Sequence, residues 1–215
     1  MRAQHRTKSK WASLALALCC LGVPAVAAAG GGPLGIDHPV DRGDDTGIFS
    51  RRNQFALQDA SALFVVAAAL WEGDDTRFGH TAWQATDSIL LGVVTSSVMK
   101  LAFSRARPSQ SDSPNQWFQG SGHNSFPSGE VMEVTTAVTP FILEYGAEHP
   151  AVWGLVVLPV YDAFARVRSR AHWQTDVLAS LAIGAGIGYY AHSRQGSISV
   201  GVLPRGVTVG WKKSF

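Results

Sequence analysis

Arg166-Val-Arg-Ser-Arg-Ala-His172-Trp-Gln-Thr-Asp176 is the stretch on which the reading of this chain turns. His172 and Asp176 stand four apart, just before an apolar run that starts at Val177, and that spacing predicts one shared helix face. A carboxylate beside an imidazole holds one ring nitrogen as N–H and leaves the other free to attack. With Arg166 close by, the stretch has the minimum needed for a histidine nucleophile acting on an anionic substrate. Taken alone, the plainer reading is favoured, an ion pair at a helix start. The remainder of the chain reverses that preference.

Outward from this stretch the chain reads as helices. Apolar segments predict helices over 55–71, 81–103, 128–145, 150–168 and 173–192. Arg107-Pro108 is expected to end the second, because a residue before proline is pushed out of the α region. Gly184 and Gly188, four apart, predict close packing of the last helix on a neighbour. Ser109 to Phe126 reads as a long polar loop carrying Trp117 and Phe118, which serve either loop packing or an apolar leaving group. At the C-terminus the period changes to two. Residues 197–203 and 207–211 alternate across Pro204-Arg205-Gly206, which predicts a β-hairpin. The fold expected is all-α, a bundle of about five core helices with a short C-terminal hairpin.

The N-terminus has a different character. Arg2, Arg6, Lys8 and Lys10 precede an apolar run from Trp11 to Val23, and Ala25-Val-Ala-Ala-Ala29 follows. A basic start, a short apolar core and an Ala-x-Ala end describe a secretory signal peptide cleaved after Ala29. Both cysteines, Cys19 and Cys20, fall inside it. Residues 1–29 carry four basic and no acidic residues, so their removal turns 18 basic and 16 acidic residues into 14 and 16. The formal charge of +2 becomes −2. A net acidic chain argues against nucleic acid as a partner. The domain plan expected is a signal peptide at 1–29, an extended exposed segment at 30–54, a helical domain at 55–193 and a hairpin tail at 194–215.

The apolar helices raise the question of membrane spans. After residue 36 the longest stretch free of Asp, Glu, Lys, Arg and His is Val177 to Ala191, short of the roughly 20 residues a span needs. Treating the N-terminus as an uncleaved first span places the acidic turns at 72–78 and 144–149 in the cytoplasm. Arg105, Arg107, Arg166, Arg168 and Arg170 then face outward, against the positive-inside rule. The expectation is an exported periplasmic helical domain that contacts a membrane surface. A compact integral inner-membrane bundle with its active site facing the periplasm is the alternative.

Two further segments join the opening stretch. Lys100 and Arg107 are seven apart, two helical turns, which places both on one face at a helix end. Ser125-Phe-Pro-Ser-Gly-Glu130 opens a helix, so Ser128 and the backbone N–H groups after it form an anion site or a simple N-cap. Together the three segments resemble the type 2 phosphatidic-acid phosphatase superfamily, which includes bacterial acid phosphatases and vanadium haloperoxidases. Its pattern runs KxxxxxxRP, PSGH, SRxxxxxHxxxD. Lys100, Arg107 and Pro108 match the first motif. Pro127, Ser128 and Gly129 match the second, with Glu130 in place of the histidine. Arg166, His172 and Asp176 match the third, with Ala165 in place of its serine. The resemblance covers residues 84–192.

That resemblance implies a phosphatase working without metal or cofactor on a phosphorylated lipid or small molecule, a phosphomonoester or diphosphate. Lys100, Arg107, Arg166, Ser128 and the N–H of Gly129 would bind the phosphate. His172 would attack phosphorus to give a phosphohistidine, with Asp176 orienting it. Glu130 would take the general-acid role of the missing histidine, and His123 is the other candidate. A protein that binds a phosphate ligand without turnover and a vanadate-dependent peroxidase are the competing functions. Asp162, one turn before Arg166, is expected to pair with it along the helix.

Overall fold

The computed structural model describes residues 31–40, 46–194, 198–203 and 206–211. The signal peptide expected over 1–29 lies outside the described residues. The described residues form five α-helices: α1 (Arg51–Glu72), α2 (Arg77–Phe103), α3 (Gly129–Tyr145), α4 (Val157–Arg168) and α5 (Gln174–Ser193). A 3₁₀ segment, Pro150–Val156, runs directly into α4. Strands β1 (Ile198–Leu203) and β2 (Gly206–Trp211) pair antiparallel with Ile198 opposite Trp211. The expected all-α bundle with its C-terminal hairpin is therefore what forms.

Helix ends follow local chemistry. The Ser50 side chain accepts the N–H of Asn53 and starts α1, and Thr76 accepts that of Gly79 and starts α2. Both helices begin about four residues earlier than the apolar period predicts, because these caps lie outside the apolar stretch. Arg51 and Gln54, expected in an extended segment, are thus in the first turn of α1. At the other end of α2, Ser104 adopts left-handed geometry (φ 38°) and its N–H returns to the Lys100 carbonyl. Helix α2 stops at Phe103, so Arg107 is not two helical turns from Lys100. It reaches its place from the segment that follows, and Ser104, not Arg107-Pro108, marks the stop.

Helix α3 is the element on which all the others pack. One core cluster joins Val65, Ala68 and Ala69 of α1 to Ala82 and Ala85 of α2 and to Ala137 and Phe141 of α3; a second joins Val131, Ala163 and Val177. Small side chains bring the helix axes close. Gly184 faces Thr135 and Gly188 faces Thr139, where an added Cβ would lie 2.9 and 2.5 Å from each threonine Cβ. The two glycines of α5 do permit the close approach their spacing predicts.

Among the described residues three helical segments are long and apolar enough to cross a membrane by length and composition: Arg51–Glu72, Arg77–Phe103 and Pro150–Arg168. Counting only charge-free residues hid this. Asp59 alone interrupts α1 between Arg52 and Glu72, and one such residue does not make the helix polar. The 30–54 segment also departs from expectation. Gly31 bridges to Asp37, and Asp37 is buried, 1% exposed, so this stretch is anchored to the domain at Asp37 while residues 33–36 are exposed as expected.

Candidate active site

A pocket of about 230 Å³ opens where α1, α2, α3 and the loops before α3 and α5 meet, lined by Lys100, Arg107, Asn124, Gly129, Glu130, His172, Gln58, Val93, Ser96 and Glu133. Lys100, in the last turn of α2, donates from Nζ to the carbonyls of Pro127 (2.7 Å) and Asn124 (3.0 Å). Arg107 donates from Nε and Nη2 to Oδ1 of Asn124 and from Nη1 to the carbonyl of Ala171. Asn124, which sequence motifs did not single out, therefore anchors both cations.

Arg166 is buried near the end of α4. Its Nη1 donates to Oε1 of Gln54 at 3.0 Å and lies 3.5 Å from Oε2 of Glu130. Its Nε has no protein partner among the described residues. Asp162, expected to pair with it, does not: among the described residues both oxygens of that buried carboxylate lack a hydrogen-bond partner. Ser128 stands at the N-cap of α3 without capping the helix, and its buried hydroxyl has no partner among the described residues. A helix start with a spare hydroxyl and free N–H groups favours an anion.

His172 lies just ahead of α5, not within it. The left-handed Arg170 (φ 56°) turns the chain after α4, and the N–H of His172 bonds the Arg166 carbonyl. The imidazole is 2% exposed, and Nδ1 is 2.6 Å from the carbonyl of Ser125. A carbonyl only accepts, so Nδ1 carries the proton and Nε2 keeps its lone pair. Burial lowers the His172 pKa to about 4. Asp176 opposes that shift, and the charges of Arg166 and Lys100 add to it.

Asp176 lies 3.8 Å from Nδ1, beyond hydrogen-bond reach, so its hold on His172 is indirect. Its oxygens accept from Arg105 Nη1 (2.5 Å), Ser125 Oγ (2.5 Å) and the N–H of Trp173 (2.9 Å). Burial alone would push this carboxyl up, but His172, Arg105 and Ser125 keep it below the usual carboxylate value. Asp176 thereby fixes Ser125, whose carbonyl fixes the imidazole. Arg105 is fully buried and also bonds Asp37 (2.6 Å) and the Pro114 carbonyl. Ser125, Arg105 and Asp37 all escape a reading by motif, because what singles them out is contact between distant segments.

Glu130 lines the pocket where the motif has histidine. Arg51 grips it from α1 with two bonds, Nη1–Oε2 at 2.5 Å and Nη2–Oε1 at 2.6 Å. Burial opposes ionisation, yet the Arg51 hydrogen bonds and the charges of Arg166, Arg51 and His172 hold Glu130 below its ordinary value. General-acid work needs the protonated carboxyl, and these surroundings favour the carboxylate. His123 is not among the residues lining the pocket.

A helical bundle that turns a buried, neutral histidine and several cations onto one pocket at a helix N-terminus is fitted to a phosphate-like oxyanion. The chain belongs to the PAP2 superfamily, which it matches over residues 81–197. It is also 33% identical over 91 residues to the lipid A 1-phosphatase of Porphyromonas gingivalis, a segment that is 41% of this chain and 18% of that relative. No solved structure matches it. Asp37, Arg51 and Gln54 lie outside the matched family region.

Proposed function

We propose that this protein is a phosphatase that hydrolyses a phosphorylated lipid, a monoester or a diphosphate, through a phosphohistidine intermediate and without a metal. The observation that carries the reading is the neutral His172, with Nδ1–H given to the Ser125 carbonyl, on the same pocket as Lys100 and Arg107. Lys100, Arg107 and Arg166 would clamp the phosphate oxygens. The Ser128 hydroxyl and the N–H of Gly129 would complete the set. Such groups stabilise the charge that spreads over a transferring phosphoryl group. Nε2 of His172 would attack phosphorus, and Asp176 would offset the positive charge that then develops on the imidazole. Water would release phosphate in the second step. Glu130 would stay ionised and hold Arg51 and Arg166 in place.

A lipid substrate is supported by the similarity to a lipid A 1-phosphatase and by the three membrane-capable helices. The N-terminal sequence supports action on the exported side of the membrane. One observation favours a different reading. The Arg51–Glu130 pair takes from the pocket the acid that turnover would use, which suits a protein that binds a phosphate ligand and does not cleave it. A panel of lipid and soluble phosphate esters, with alkaline-detergent quench trapping of phosphoenzyme, separates the two. Turnover with an acid-labile, base-stable phosphoenzyme supports the phosphatase, whereas phosphate binding with no turnover of any ester supports the binding protein.

A further inference from the structure

Two carboxylates of α3 reach the pocket, Glu130 and, one turn on, Glu133. Their surroundings differ in the respect that decides proton transfer. Two arginines face Glu130. Among the described residues no cation lies within ion-pair distance of Glu133; its Oε2 accepts from the neutral amide of Gln58 at 2.7 Å. Resting on the phosphatase reading, we propose that Glu133 is the general acid for the departing group, with Gln58 holding its carboxyl at the pocket.

Burial disfavours the charged form of Glu133 and raises its pKa, against the pull of the Gln58 amide, and the negative charges of Asp59 and Glu130 push the same way. Lys100, Arg107 and His172 share the pocket with Glu133, and Asp162 of α4 lies close enough to interact with it electrostatically. The division of labour follows from the chemistry of the lining. Lys100, Arg107 and His172 take the phosphate. Glu133, on the same pocket with Gln58 and Val93, meets the alcohol. As the His172 Nε2–P bond forms and the P–O bond breaks, the Glu133 proton passes to the leaving oxygen. In the second step the Glu133 carboxylate takes a proton from the water that attacks phosphorus. The N–P bond breaks, phosphate leaves, and the acid is restored.

Leaving-group dependence tests this. An alkoxide needs its proton as the bond breaks and p-nitrophenolate hardly does. Glu133→Gln is therefore expected to slow an alkyl phosphate by about 10²–10⁴ and p-nitrophenyl phosphate by less than about tenfold. Glu133→Asp, which keeps an acid, is expected to recover part of the alkyl rate. Unchanged vanadate affinity in both variants shows that the pocket is intact. Glu130→Gln is expected to slow the two esters alike. Equal slowing of both esters by Glu133→Gln overturns the assignment, as does selective loss of the alkyl ester in Glu130→Gln. A wild-type protein that cleaves no ester ends both this proposal and the phosphatase reading. A wild-type protein that cleaves esters indifferently to Glu133 ends the proposal alone.

Discussion

With its pKa lowered to about 4, first by burial, His172 is neutral throughout the neutral pH range. The sign matters for activity. A lowered histidine pKa keeps the attacking lone pair available as pH falls, until protonation near pH 4 removes it. The acidic limb of kcat/KM is therefore expected to bend at about pH 4, well below an ordinary histidine. A bend near 6.5, the unperturbed value, would show that the imidazole is not buried during turnover. His172→Ala is expected to reduce phosphate release to background while vanadate still binds, since Lys100, Arg107 and Arg166 remain. Release at an appreciable rate by that variant ends the phosphohistidine mechanism. Lys100, Arg107, Arg166 and His172 were picked out in the sequence by the resemblance of their three motifs, not by spacing alone. Ser125, Asn124 and Arg105 were not. Each acts through a contact between separate segments, such as Ser125 with Asp176 and Arg105 with Thr175, and single-sequence spacing carries no signal for such pairs.

Between α3 and α5, the packing depends on two missing side chains. A Cβ at position 188 would lie 2.5 Å from Thr139 Cβ and 2.7 Å from its Cγ2, and neither atom belongs to a long, flexible chain. Gly188→Leu is therefore expected to destabilise the fold by about 1–3 kcal/mol or more through overpacking. Gly186→Leu, on open space in the same helix, is the control. Equal melting temperatures for the two variants would show that α5 does not pack on α3 as described. This contact was readable beforehand, since two glycines four apart in an apolar helix have few other uses. Helix starts were less readable. Ser50 and Thr76 are ordinary cap residues, but each is followed by arginine, not by an apolar residue, so the hydrophobic period places the start too late. That error concealed Arg51 and Gln54, the residues of α1 that reach Glu130 and Arg166.

At the scale of the molecule, the candidate site depends on the segment before the bundle. Asp37 pairs with fully buried Arg105, which in turn holds Asp176. Removing one member of a buried ion pair leaves a charge without its partner and costs about 3–5 kcal/mol. Asp37→Ala is expected to lose stability on that scale in denaturant unfolding and to slow turnover, although residue 37 lies outside the matched family region. A loss below about 1 kcal/mol would mean that Asp176 alone compensates Arg105. The outer surface supports a last expectation. Trp71 is 88% exposed and Leu101 81%, and Leu63, Leu70, Val98, Val157 and Phe164 are exposed on the same three membrane-capable helical segments. Soluble proteins rarely leave large apolar patches open to water. Lipid covering these helices would account for that surface and would bring a lipid phosphate to the pocket at the end of α2. The protein is therefore expected to sediment with membranes, to resist extraction by high salt and alkaline carbonate, and to be released by detergent. Recovery in the soluble fraction after salt extraction alone would instead support the exported domain with surface contact that the charge pattern suggests.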